Sequence, residues 1–259
     1  MISETDNTQR PLFSIITVCF NSEKTIERTL KSIASQSFKD YEYIVVDGAS
    51  TDGTLNIIKE YQPMFGNKLR MISEPDHGIY DAMNKGLRMA RGKVIGILNS
   101  DDCYEEDALL NVKEAYDRRD LSKPLQVFYG MVRVFEETGV FHSVIFLSHT
   151  HLKNQMIAHP GCFVTRESYE KIGLFSLQYR YAADYDLFLR FFKDSELVFI
   201  PVFKILNNFY LGGVSDNPAS AEEGFKVRWK NGYSGRMTYY RQLIKHRLWW
   251  IRENKLHKK

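Results

Sequence analysis

Within the first hundred residues, short apolar runs alternate with amphipathic segments, and each run stops at polar or acidic residues. Phe13 to Phe20 is β-branched and apolar, and Asn21-Ser22 caps a helical pattern over residues 25–35 in which Ile26, Leu30, Ile33 and Ala34 share a face. Residues 41–46 form a second run, and Leu55, Ile57, Ile58 and Tyr61 mark a second helix. Residues 69–73 predict a third strand, residues 78–90 a third helix with Gly92 as its C-cap, and residues 93–98 a fourth strand. Strands and helices alternating at this spacing predict an α/β fold with a parallel central sheet and right-handed crossovers.

The chemistry gathers where the runs end. Leu98 is followed by Asn99-Ser100-Asp101-Asp102, and the earlier ends carry Asp47, Asp52, Asp76 and Asp81. Ligands of open α/β sheets bind beyond the carboxyl ends of the strands. No glycine-rich dinucleotide fingerprint or phosphate loop follows any run, so acids rather than backbone amides face that edge. A diphosphate met by carboxylates requires a bridging divalent cation, and hard oxygen ligands favour magnesium or manganese. The competing reading of Asp101-Asp102 is a helix N-cap ahead of residues 105–118.

Composition narrows the class. At 259 residues, with 44% hydrophobic and 26% charged residues, the chain suits a soluble globular protein with a substantial core. Three widely spaced cysteines, Cys19, Cys103 and Cys162, suggest neither a disulfide framework nor a thiolate metal site and favour a reducing, cytoplasmic setting. Residues 1–10 read as a polar tail without the apolar core of a signal peptide, and no stretch suits a membrane span. The net charge of +3 conceals an uneven distribution: residues 226–259 carry eleven Lys or Arg against one acid, Glu253.

In the second half, residues 125–132 read as a strand leading into a hairpin that turns at Thr138-Gly139. His149 and His151 lack partners at metal-ligand spacing and read as solvated loop residues. His159 sits in a turn before a strand. The stretch Tyr181 to Arg190 reads as a helix with Leu187, Phe188 and Phe191 inward, Asp184 in the first turn, and Asp186 one turn from Arg190. Residues 197–201 and 203–211 read as a closing pair of strands, ending in Gly212-Gly213-Val214-Ser215.

Four stretches in order, Ile15 to Asn21, Val46 to Thr54, Ser73 to Gly86 and Leu98 to Asp102, resemble the family 2 glycosyltransferases, and within them the bacterial enzymes that build colanic acid, O-antigen and capsular repeat units. The resemblance covers about residues 11–215. It implies a GT-A fold: a Rossmann-like, mostly parallel central sheet flanked by helices, here with a C-terminal helical extension. It divides one domain into a nucleotide-sugar-binding half, 11–103, and an acceptor-binding half, 104–215, with residues 216–259 as a basic, aromatic helical tail.

By the resemblance, Val18, Phe20 and Asn21 line a uracil or guanine pocket, Asp47 meets the base, and Asp76, Asp81, Asn84 and Lys85 lie near base and diphosphate. Asp101 and Asp102 match the family's Asp-X-Asp region, serving ribose and metal, with the division between them open. The sequence departs at Gly48, which replaces a second acid, and at Asn99, which replaces the first acid of Asp-X-Asp-Asp. His159 borders the acceptor, Gly212 and Gly213 begin a loop that orders over the donor, and Asp184 occupies the place of the catalytic base.

The implied activity is metal-dependent inverting transfer from a nucleotide-diphosphate sugar to a polysaccharide or lipid-linked oligosaccharide in surface polysaccharide synthesis. Alternative readings are a sugar nucleotidyltransferase and a noncatalytic basic binding protein. The tail, with aromatic residues among its cations, is expected to touch an anionic membrane surface from the cytoplasmic side, and no nucleic-acid partner is expected.

Overall fold

The computed structural model describes residues 10–213 and 217–256. Nine strands form one sheet. Strands β1 (Phe13–Cys19), β2 (Tyr41–Asp47), β3 (Leu69–Ser73) and β4 (Val94–Ile97) make its first half, all parallel, in the order β3-β2-β1-β4. Beyond β4 come β8 (Cys162–Thr165), β6 (Gln126–Phe135), β9 (Val198–Tyr210) and β5 (Cys103–Tyr104), and β7 (Phe141–Ile145) pairs with β6. β8 runs antiparallel to both β4 and β6, while β9 is parallel to β6. The carboxyl ends of β1, β2, β3, β4, β6 and β9 therefore share one edge, and the residues preceding β8 lie at the same edge.

All seven residues of β1 and all seven of β2 are buried, as strands covered on both faces require. Helices α1 (Ile26–Ala34), α2 (Thr54–Phe65) and α4 (Ala108–Asp117) cover one face, where Phe13, Ile15, Leu30, Ile58 and Leu109 form a core. Helices α3 (Ile79–Met89), α5 (Arg166–Ile172) and α6 (Ala183–Lys193) cover the other, where Ile16, Val18, Met83, Leu87 and Phe188 pack. Alternate residues of β1 thus serve two cores, and the 3.6-residue spacing of Ile26, Leu30 and Ile33 buries α1 against one of them.

Several elements differ from the sequence expectation. Gly92 does not cap α3, which ends at Met89 with Ala90 as its C-cap. A Cβ at Gly92 would lie 2.4 Å from the Ser14 nitrogen, so this glycine lets two backbones pass. The expected closing pair of strands is one strand, β9, in which Pro201 pairs with Tyr129 in regular register and the register against β6 shifts only beyond it, near Gly130 and Met131. The two-residue β5 was too short to leave a periodic signal. His149 is not a solvated loop residue: its ring stacks on Phe199 with centroids 4.9 Å apart, and its Nδ1 lies 2.9 Å from the Tyr129 hydroxyl.

The C-terminal region forms α7 (Pro218–Lys230) and α8 (Arg236–Leu256). α7 joins the domain: Val227 is fully buried, and the Asn231 amide donates to Asp186 Oδ1 at 2.9 Å. α8 packs on α7 through the Trp229–Tyr239 stack and the Arg247–Glu222 fork. Its other side leaves Met237, Tyr240, Ile244, Leu248 and Ile251, spaced three and four residues apart, exposed. No helix among the described residues is long and apolar enough to cross a membrane.

Candidate active site

The carboxyl ends of β1 and β2 are bound together by side chains. Asp47 is fully buried, and its carboxylate accepts from the Ser50 amide at 3.0 Å, the Ser50 and Ser73 hydroxyls, and the Cys19 thiol. Asp47 therefore organises the turn at the end of its own strand. Burial and the neighbouring Asp47 raise the Cys19 thiol far above its ordinary range. Asn21, in left-handed backbone at φ 48°, accepts from the Thr51 amide at 2.9 Å and couples the two turns. Val18 is buried in the core, whereas Phe20 projects with 61% of its surface exposed. A Cβ at Gly48 would sit 2.5 Å from an Asp76 carboxylate oxygen, so the acid absent at position 48 gives way to one arriving from the loop after β3.

The α3 residues divide. Asp81 accepts from the His77 amide at 3.1 Å and stands 3.8 Å from Lys85 Nζ. Lys85 also donates to the Pro75 carbonyl at 2.8 Å and pairs with Glu74 at 2.9 Å, which fixes the loop that carries Asp76. Asn84, expected near the donor, turns into the fold. It is buried, and both ends of its amide bond the Phe175 backbone, at 2.9 and 3.0 Å. Tyr80, absent from the expected set, reaches out of this helix to place its hydroxyl 3.0 Å from Asp184 Oδ1.

Beyond β4, Asp101 and Asp102 occupy a turn closed by the Asp102 amide on the Asn99 carbonyl at 3.2 Å. The Thr29 hydroxyl of α1 donates to the Asp102 carbonyl at 2.7 Å, and the Tyr210 amide donates to Asp102 Oδ1 at 3.1 Å. Asp102 Oδ2 is buried without a hydrogen-bond partner among the described residues. Burial raises both carboxyl groups above the ordinary aspartate range, Asp102 further through the nearby Asp101, while Arg28 acts in the opposite direction on each. Gly213 passes so close that a Cβ there would lie 3.2 Å from Asp101 Oδ2, and Gly212, at φ 96°, faces the Glu137 side chain. Val214 and Ser215 of the expected loop lie outside the described residues.

An orphaned carboxylate oxygen beside a second acid, with the Gly213 backbone passing close by, fits a hard divalent cation. Among the described residues no group of three His, Cys, Asp or Glu side chains is placed to hold one alone.

Asp184 lies in the first turn of α6, with Oδ1 accepting from Tyr80 and from the Tyr185 amide at 2.8 Å. No hydrogen bond engages Oδ2 among the described residues. Tyr80 packs on Phe175, and His159 sets its ring edge against Phe175 and Phe188 at 5.9 and 5.7 Å. Burial lowers the pKa of His159 and Asp184 opposes that shift. The start of α6 is closed by a residue the sequence did not single out. Glu223 of α7 accepts from the backbone amides of Arg180, Tyr181 and Ala182 at 3.0, 2.7 and 2.9 Å. A carboxylate at a helix N-terminus suits the helix dipole, but nothing local signals one supplied by another helix.

The model of the family described as Glycosyl transferase family 2 matches residues 14–173. A PGL/p-HBAD biosynthesis glycosyltransferase of Mycobacterium tuberculosis is 35% identical over 189 residues, covering 73% of this chain and 72% of the relative. Among solved structures, S. aureus TarS 1-349 in complex with UDP-GlcNAc superimposes with a TM-score of 0.65 at 20% identity, over 85% of this chain. The mannosyltransferase PcManGT from Pyrobaculum calidifontis, in complex with GDP-Man and Mn2+, gives 0.62 at 21% identity over 88% of this chain. The chain spans just under two thirds of either solved chain, 66% in each case, and the likeness is one of fold, the GT-A arrangement of a mixed α/β sheet.

Proposed function

This chain belongs to glycosyl transferase family 2, and from that premise we propose that it catalyses inverting, metal-dependent transfer of a hexosyl unit from a nucleotide-diphosphate sugar to a saccharide hydroxyl, with Asp184 as the base. The observation that carries this reading is Asp184 itself. It stands in the first turn of α6 with Oδ1 held by Tyr80 and Oδ2 open, at the sheet edge that also carries Asp101 and Asp102.

The acceptor oxygen attacks the anomeric carbon while its proton passes to Asp184 Oδ2. The bond from that carbon to the β-phosphate oxygen breaks on the opposite face, and the nucleoside diphosphate leaves with the electron pair. Asp101 and Asp102 would hold manganese or magnesium, which when bound supplies positive charge to the departing diphosphate. Two protein carboxylates would fill only part of such a coordination sphere, leaving room for the donor's phosphates. Phe20 offers a stacking surface to the base at the ends of β1 and β2, and His159 shapes the acceptor side beside Asp184. Gly212 and Gly213 allow the loop that follows β9 to approach the donor.

The acceptor is a polysaccharide or lipid-linked oligosaccharide of surface polysaccharide synthesis, and the enzyme works at the inner face of the membrane. The exposed stripe on α8 and the cations Arg241, Lys245 and Arg252 beside it support that location.

The deciding experiment compares wild type with Asp184→Asn. Transfer from a nucleotide sugar is lost in the variant while nucleoside diphosphate binding with manganese persists. Transfer at near wild-type rates would remove Asp184 from the role of base.

A further inference from the structure

Arg28 sits in the first turn of α1, where a cation opposes the helix dipole and receives no local benefit. A residue set against its own helix in this way calls for a reason outside it. Its guanidinium lies 3.6 Å from the centroid of the Tyr210 ring, which also stacks on Phe135 with centroids 5.2 Å apart. Both chain neighbours of this arrangement touch the same turn: the Tyr210 amide bonds Asp102 Oδ1, and Thr29, next to Arg28 on α1, bonds the Asp102 carbonyl. The cation is thereby fixed beside the Asp101–Asp102 turn.

One donor of the guanidinium is nevertheless unsatisfied. Its Nε is buried without a hydrogen-bond partner, and no ion pair engages it among the described residues. A guanidinium presents five N–H donors in a planar fork that matches phosphate oxygens. A buried donor left unpaired is costly, and an anion arriving at the Asp101–Asp102 turn relieves it.

We propose that Arg28 is an anion-binding residue of the donor site, meeting the diphosphate of the nucleotide sugar and standing as counter-charge to Asp101 and Asp102 before metal and donor arrive. This rests on the donor-site reading of that turn. It separates the two cation-dependent steps: Arg28 repels a lone metal ion and attracts the diphosphate, so its removal shifts the two affinities in opposite directions. A residue that only supports the fold would move both the same way.

The test uses the full chain as wild type, Arg28→Gln and Arg28→Lys, with thermal melting to identify folded material. Manganese alone is titrated by electron paramagnetic resonance, and UDP, GDP, uridine and guanosine are titrated by calorimetry with magnesium. In Arg28→Gln, whichever diphosphate the wild type binds is held ~tenfold or more weakly, in keeping with loss of a charge-assisted hydrogen bond. Manganese alone is held a few-fold more tightly, and the matching nucleoside is unaffected. Arg28→Lys, which keeps the charge but not the fork, falls between wild type and Arg28→Gln for the diphosphate and matches wild type for manganese. It carries the test if Arg28→Gln does not fold. Equal weakening of manganese and diphosphate, or an unchanged diphosphate affinity in both variants, overturns the inference while leaving the donor-site reading intact. A wild type that binds neither UDP nor GDP overturns both.

Discussion

The Tyr80 hydroxyl lies 3.0 Å from Asp184 Oδ1 and 2.8 Å from the Tyr181 carbonyl, joining the start of α3 to the start of α6. A hydrogen bond to a carboxylate contributes ~1.5–3 kcal/mol, and here it selects which oxygen stays open. Tyr80→Phe retains the packing on Phe175 and removes only the hydroxyl. Its kcat for transfer is expected to fall ~tenfold or more with nucleoside diphosphate affinity unchanged. Steady-state kinetics beside calorimetry reads both, and full turnover in the variant would exclude Tyr80 from the machinery.

Asp102 makes an opposite demand on stability. Burial, then the nearby Asp101, hold its folded-state carboxyl above the usual range. Below the unfolded value, about 3.9, both states are protonated and nothing is lost. As pH rises past that value the unfolded chain ionises first, so stability declines up to the raised folded value and stays reduced above it. Without metal, Asp102→Asn should melt at a higher temperature than wild type at pH 7.5, with the gain vanishing near pH 4. Manganese should raise the melting temperature of wild type alone. A variant less stable at pH 7.5 contradicts a cost of burying this carboxylate in its charged form.

Glu223 accepts three backbone amides at the entry to α6. Glu223→Ala leaves all three without that acceptor and should lower unfolding stability by ~2 kcal/mol or more, as measured by urea titration. Transfer should fall together with stability, because Asp184 begins two residues later. Glu223→Gln, which keeps one carbonyl oxygen, should show an intermediate loss.

For α8 the expected partner is an anionic bilayer. Wild type should float with vesicles of phosphatidylglycerol and phosphatidylcholine at low salt and detach as salt rises, since screening weakens the attraction of Arg241, Lys245 and Arg252. Paired substitutions Ile244→Ser and Leu248→Ser, both at exposed positions, should abolish flotation without changing the melting temperature. Wild type that stays unbound at low salt removes the membrane contact.

Gly92→Ala tests the crossing at Ser14. The added methyl would lie 2.4 and 2.5 Å from the Ser14 nitrogen and the Phe13 carbonyl carbon, in a backbone that cannot rotate away. Destabilisation of ~3 kcal/mol, or insoluble chain, is the expected outcome in denaturation and expression trials.

Legibility followed the range of the interactions. The parallel half of the sheet was readable because each strand and each amphipathic helix carries its periodicity in consecutive residues, as in Phe13 to Cys19 and Ile26 to Ile33. The Asp186–Arg190 pair was readable for the same reason, one helical turn apart, and forms at 3.0 Å. What escaped depends on distant partners. Nothing around Asn84 announces that the Phe175 backbone absorbs its amide, and nothing around Glu223 announces three amides waiting at residues 180–182. The shift of register between β6 and β9 likewise arises from pairing, so Pro201 suggested a break where the strand continues.

The Glu223 contact also bears on how such chains diversify. A helical extension that merely hung from its domain could be exchanged between relatives at the loop before it, carrying a new address or partner without cost to chemistry. Here the first extension helix supplies an acceptor to the turn that presents Asp184, and Val227 fills the core behind it. A chimera joined before residue 218 would import a foreign helix into that turn, and it could work only if the newcomer brought a carboxylate to the same place. Changes in α7 are thereby tied to the turn that presents Asp184, whereas the outer face of α8 touches no part of that turn.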